Sequence, residues 1–289
     1  MSWFVLALGC AFLTACSDAV SKRIMWDNDE WLTGSVMLSI AALVLTPLFL
    51  SQDLMPVSQD LILLIIIALP LEICAYYLFL SALRMAPISL TLPLLAFTPV
   101  LTILTSSVLL GESISVRGAA GIGLVTIGAY ILNGDLLNRS LIAPIQAIFV
   151  EPGCRRMLLV AFAWSVTSAL GKKGILLYGA IPFGAVLVIC AAIAFAVINL
   201  LRFRMGVSRQ GLNRDAVPLF MLGGLLMAGA QLTHFLSLSL APVAYMISVK
   251  RLSLVFGVIL GRLLFHEENI SYRLTGASVM AIGVFLIYE

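Results

Sequence analysis

The chain has 289 residues, 62% of them hydrophobic and only 11% charged, with a mean hydropathy of +1.12. Soluble domains average about 45–50% apolar and about 25% charged residues, so a water-soluble enzyme or binding domain is excluded and lipid must solvate much of the surface. The net charge of +3 is too small to point to a nucleic-acid partner.

A membrane-spanning helix needs roughly 20 mostly apolar residues. Taken in chain order, the apolar runs predict spans at 2–20, 32–50, 61–81, 88–110, 118–133, 157–171, 181–201, 216–236, 242–264 and 272–288. The first run holds Leu13-Thr14-Ala15-Cys16, which has the outline of a lipoprotein cleavage box. Residues 1–12 carry no Lys or Arg and further apolar runs follow, so it reads as helix core. Pro93 and Pro99 interrupt the fourth span. Each removes an amide donor, and in a bilayer such a break is tolerated where neighbours or water satisfy the freed carbonyls. Both are therefore candidates for a helix break with a gating role. After the fifth span comes the longest connector, 134–156, whose stretch 141–150 is apolar enough to lie along the membrane surface. Asp18, Lys22 and Arg23 close the first span and Lys172 and Lys173 the sixth, where they read as interfacial anchors.

The two halves of the chain look related. With a shift of 155, Leu83, Ala86, Pro87, Glu112, Gly121 and Gly128 meet identical Leu238, Ala241, Pro242, Glu267, Gly276 and Gly283. A shift of 150 places Ala19 and Lys22 on Ala169 and Lys172. The expected fold is all-α: a polytopic membrane protein of ten transmembrane helices in two five-helix repeats, 1–133 and 157–289, joined by the connector 134–156. Five is odd, so the second repeat enters the bilayer from the opposite side, and inverted repeats place a site near the midplane where they meet. Because Lys22 recurs as Lys172, it is a third gating candidate. Most Lys and Arg between spans fall on one side, with only Arg117, Lys172 and Lys173 on the other. The positive-inside rule then puts both termini outside the cytoplasm of a multi-pass inner-membrane protein.

Lys250-Arg251 stands near the middle of the ninth span, where each charge costs about 2.5–3.5 kcal/mol on insertion scales. Two roles remain open: gripping an anionic group in a wet cavity, or pairing with Glu72 of the third span. Glu72 has Tyr76 one turn away on the same face. Gln231 and His234, three apart in the eighth span, occupy the repeat positions of Tyr76 and Phe79. These six, Glu72, Tyr76, Gln231, His234, Lys250 and Arg251, form the expected substrate site. The glycines of the fifth and tenth spans have the spacing of close helix packing, either internal or against a second copy of the chain. The five cysteines and two histidines show no disulfide framework or metal spacing, and no cofactor is expected.

The order Ala86-Pro87-Ile88-Ser89, Phe97-Thr98-Pro99, Gly111-Glu112, followed by a glycine-rich helix, resembles the EamA-type half of the drug/metabolite transporter superfamily. Ala241-Pro242, Glu267, Gly276 and Gly283 resemble the same half again. The resemblance implies a ten-helix basket that exports or exchanges metabolites without an ATP-hydrolysing partner. Ser248-Val249-Lys250-Arg251 is also similar to the ninth-helix pair of the plastid phosphate translocators, which implies a grip on phosphate. The expected function is a secondary transporter of a small anionic or zwitterionic metabolite, working by alternating access. A non-transporting membrane scaffold or assembly factor is the alternative. An intramembrane enzyme lacks its constellation: there is no HExxH, no GxSxG with triad partners and no aspartate pair.

Overall fold

The computed structural model describes residues 2–52, 58–86, 91–132, 150–207, 216–265 and 270–288, and all regular structure among them is helical. The first half holds α1 (Ser2–Ile24), α2 (Glu30–Leu50), α3 (Gln59–Met85), a 3-10 turn (Leu92–Ala96) leading into α4 (Phe97–Leu110), and α5 (Val116–Ile131). The second half holds α6 (Pro152–Tyr178), α7 (Ala180–Arg204), α8 (Val217–Leu240), α9 (Val243–Lys250), α10 (Ser253–Phe265) and α11 (Ile270–Tyr288). Side-chain oxygens start several of them: Asp29 accepts from the Leu32 amide at 2.7 Å, and Ser115 from Gly118 at 3.0 Å. Gly111, at φ +68°, ends α4 in the left-handed conformation that spares it a Cβ clash.

Among the described residues, six helical stretches are long and apolar enough to cross a bilayer: Trp3–Ile24, Glu30–Leu50, Gln59–Met85, Leu92–Leu110, Ala180–Arg204 and Val217–Leu240. Val116–Ile131 and Thr275–Tyr288 are shorter apolar helices. Large apolar side chains such as Leu43, Ile66, Val108 and Phe162 stand exposed, while Thr98, Thr102, Ser165, Lys172 and Arg251 are buried. That inversion of the usual soluble pattern is what a lipid solvent requires.

The sixth helix departs from the expected span 157–171. It begins at Pro152, so the end of the connector 134–156 is helical, and Cys154 is buried in its first turn. Proline at the helix start needs no amide partner, which is why the helix can begin there. Residues 133–149, with most of the proposed surface segment, lie outside the described residues, as do 87–90, 208–215 and 266–269.

The contacts exchange when the halves are swapped. α1 packs along α8 as α3 packs along α6, while α2 meets α7 and α5 meets α11. α5 and α11 cross antiparallel at backbone distance: a Cβ on Gly121 would lie 2.6 Å from the Gly283 carbonyl oxygen, and one on Gly128 2.7 Å from that of Gly276. These four glycines therefore serve packing between the halves.

The two repeat-related lysines behave alike. Lys22 Nζ donates to the carbonyls of Leu83, at 2.5 Å, and Ala86, at 3.5 Å. Lys172 Nζ donates to Leu238, Ser239 and Ala241 at 2.6, 3.3 and 3.1 Å. Each ammonium caps the carboxyl end of the third helix of its own half, where the helix leaves carbonyls unpaired. The reading of both as interfacial anchors is corrected: Lys172 is 7% exposed and Lys22 half-buried.

Candidate functional site: a charged cavity between the halves

A cavity of about 150 Å³ lies where the halves meet. From α1 it takes Thr14, Ser17, Asp18 and Ser21, a polar face at helical spacing; from α6 it takes Trp164, Thr167, Ser168 and Gly171, the same positions at a shift of 150. α3 supplies Glu72, Tyr76 and Phe79, and α8 supplies Met227, Gln231 and His234, equivalent at a shift of 155. The wall is aromatic on one flank, with Phe79 and Trp164 ring centroids 5.2 Å apart and Tyr76 and Phe195 5.4 Å apart.

Lys250 and Arg251 enter from α9. Adjacent residues on a continuous helix point about 100° apart and could not both face one cavity easily. Here the helix stops. The Arg251 amide is shared between the Ile247 and Ser248 carbonyls at 3.1 Å, and the Leu252 amide turns back to Val249 at 3.0 Å, a 3-10 tightening that separates α9 from α10. Both cations line the cavity at that break. The 3-10 turn Leu92–Ala96, which leads into α4, falls at the equivalent place in the first half. Pro93 lies in that turn and Pro99 in the first turn of α4, and α4 packs against α9 as the repeat alignment requires. The first-half break carries Leu95 and Ala96 in place of charges, and neither Pro93, Pro99 nor Lys22 lines the cavity.

All six residues of the expected substrate site line it: Glu72, Tyr76, Gln231, His234, Lys250 and Arg251. The possible Glu72–Arg251 pair is not formed. Glu72 instead takes side-chain hydrogen bonds from Thr167 and Trp164 of α6. Among the described residues, direct ion pairs join Arg23 to Asp27 at 3.6 Å and Arg84 to Glu30 at 2.8 Å, both away from the cavity. Lys250 Nζ is 3.5 Å from His234 Nδ1, which accepts only when the imidazole proton sits on Nε2. The Tyr76 hydroxyl points at Met227 Sδ, 3.9 Å away. Arg251 is 3% exposed, its guanidinium lies 6.0 Å from the Trp164 ring centroid, and its Nε has no hydrogen-bond partner.

Asp18 corrects the sequence reading, which grouped it with the helix-end anchors. It lies within α1, lines the cavity and feels both Lys250 and Arg251 electrostatically. The polar stripe Thr14-Ser17-Asp18-Ser21 was the available signal. With Asp18 included, the cavity holds two acidic and two basic side chains, so it is dipolar rather than simply cationic. Among the described residues no three His, Cys, Asp or Glu side chains converge as a metal site.

A solved crystal structure of another protein has the same fold: it superposes with a TM-score of 0.77 over 99% of this chain and 97% of its own, at 15% identity. No curated protein sequence matches the chain. The profile of the EamA-like transporter family matches residues 1–134 and again 152–289, the two halves separately. With nearly the whole length matched in two consecutive copies, the chain belongs to the EamA-like transporter family.

Proposed function

We propose that the protein is a secondary transporter, an exporter or exchanger, that moves a small zwitterionic or anionic metabolite across the cytoplasmic membrane by alternating access. On this reading the 3-10 turn with α4 counts as one crossing, and α9 with α10 as another. The chain then makes ten, as two inverted five-helix repeats with both termini outside the cytoplasm. The observation that carries the reading is the cavity between the halves, which gathers Asp18, Glu72, Lys250 and Arg251 without a direct ion pair among them. Intramembrane charges are costly and mark substrate pathways by default. A scaffold gains nothing from such residues.

The charge balance favours a zwitterion over a plain anion. Lys250 and Arg251 suit a carboxylate or phosphate, Arg through its planar fork and Lys as a compact charge. Asp18 and Glu72 would repel a polyanion and suit an ammonium. Rocking of the two halves about the cavity would expose it to each side in turn.

The test is uptake into proteoliposomes of radiolabelled zwitterions, anions and cations, by the unmodified protein and by Lys250→Ala and Arg251→Ala. Loss of zwitterion and anion flux in both variants supports the reading. Equal flux in all three proteins removes the proposed site, and no flux of any solute removes the carrier.

A further inference from the structure

The two lysine ties lie at opposite ends of the cavity. α1 runs antiparallel to α8, with Trp3 near Ser237 and Val20 near Gly223. Lys22 therefore sits beyond Ser21 at one end, and Lys172 beyond Gly171 at the other. Both ties join helices of the same half, so they persist when one half rocks against the other. Contacts between halves are the ones that must break.

At the Lys172 end, such contacts are specific. Glu112, at the close of α4, accepts the Val243 amide through Oε2 at 3.0 Å. Val243 opens α9, whose far end carries the Lys250-Arg251 pair. A carboxylate there meets an unpaired helical amide and the positive end of the helix dipole together. Next to it, the Tyr245 hydroxyl and Ser115 Oγ are 3.1 Å apart, again first half to second. The Tyr245 ring fills the space beside Gly118, where a Cβ would collide with it. Lys172 caps the end of α8 and lies in the field of Glu112, so the turn from α8 to α9 is held by a cation on its carbonyl side and a carboxylate on its amide side.

We infer that Glu112 is a gate residue: its bond to the Val243 amide, supported by Tyr245–Ser115, closes the cavity at the Lys172 end and is released when the transporter opens there. This rests on the alternating-access reading. α9 rises about 1.5 Å per residue, so its eight residues form a lever of about 12 Å from gate to cation pair. A movement at Val243 is thereby passed to Lys250 and Arg251 without a wire of intervening side chains.

The experiment measures which face reaches the cavity. In a variant whose native cysteines are serine, Ser17→Cys places a thiol on the cavity wall. A charged, membrane-impermeant maleimide is then applied to right-side-out and to inside-out vesicles. With Glu112 intact, labelling is expected mainly from the end opposite Lys172. Glu112→Ala should move the ratio toward the Lys172 face by about tenfold, the weight of one charge-assisted hydrogen bond. Glu112→Gln, which keeps an acceptor oxygen, should move it less. Tyr245→Phe, a near-isosteric change that guards against misfolding, should move it the same way by a smaller factor. One-sided labelling that none of these variants alters overturns the gate and leaves the carrier standing. Equal labelling from both faces in the protein with Glu112 intact also overturns the gate, because a closing bond must bias access away from its own end, whereas the carrier itself falls only if no solute moves in the liposome assay.

Discussion

Gly128→Ala is expected to destabilise the protein although it adds a single methyl group to an apolar helix. The new Cβ would sit 2.6 Å from Met280 Cγ and 2.7 Å from both the Gly276 carbonyl oxygen and the Met280 amide nitrogen. Two of those three atoms are backbone, so no side chain can swing away and α5 and α11 must part. Overpacking of this kind costs about 1–3 kcal/mol, against which alanine recovers up to about 1 kcal/mol of helix propensity. The net loss should be about 1–2 kcal/mol, or roughly 2–8 °C in Tm at about 2–4 °C per kcal/mol. Gly276→Ala should behave like Gly128→Ala, since its Cβ would meet the Gly128 carbonyl oxygen at 2.6 Å. Gly123→Ala is the control: nothing lies within 4 Å of its Cβ, so propensity alone acts and Tm should hold or rise. Thermal denaturation in detergent, followed by tryptophan fluorescence, compares the three. Equal Tm values for Gly128→Ala and Gly123→Ala would refute the backbone-contact account of how the halves join.

Lys172→Met should lower Tm more than Lys22→Met, by about 2–4 kcal/mol of stability, because Lys172 serves three carbonyls and Lys22 one closely and one at the hydrogen-bond limit. Asp18→Asn should reduce zwitterion flux in proteoliposomes by about tenfold or more while leaving Tm nearly unchanged, and unaltered flux would return Asp18 to a packing role. Arg251→Met should abolish flux yet leave Tm level or raised, since it removes a buried guanidinium whose Nε is unpartnered. A large fall in Tm would instead mark Arg251 as a structural cation.

The sequence announces the helices because lipid leaves a chain few options, and long apolar runs with polar punctuation are the direct record of that constraint. It announces the cavity's charges for the same reason: Glu72 is the only charged residue of its run, and Lys250 and Arg251 stand near the middle of theirs, far from Arg262 at its end. Their partners were a different matter. Pairing Glu72 with Arg251 followed from opposite charge, but contact depends on rotation about each helix, and α6 presents Thr167 and Trp164 to Glu72 first. Asp18 was hidden by its nearness to Lys22 and Arg23, which made it look like part of a helix end. Lys172 and Lys22 recur in register, yet only the fold shows that both recurrences cap a helix. The start of α6 at Pro152 was masked by charge, because Arg155 and Arg156 look like loop residues until Arg156 is seen donating to Ser81 across the halves.

The repeat also explains why the cavity is dipolar. Backbone features obey the exchange of halves: the glycine crossing, the lysine caps and the 3-10 turns at Leu92–Ala96 and at Arg251 all recur. Side chains facing the cavity do not. Asp18 is matched by Ser168, Glu72 by Met227, Phe79 by His234, and Leu95-Ala96 by Lys250-Arg251. The first half thus brings the carboxylates and the second half brings the cations. A site built with the same charge from each half would stack like charges at the axis, where the low dielectric magnifies their repulsion. Division of the signs between halves avoids that, and it sets a direction from the first half to the second along which a substrate with two opposite charges has one preferred way to lie. On the proposed reading, in which the halves rock, each pole would be carried by a different half and a bound zwitterion would bridge the moving parts. A bound anion would contact mainly α9. On the proposed alternating-access reading the substrate's positive group would couple it to the first half, and a zwitterion should be moved faster than an anion of the same size that lacks that group.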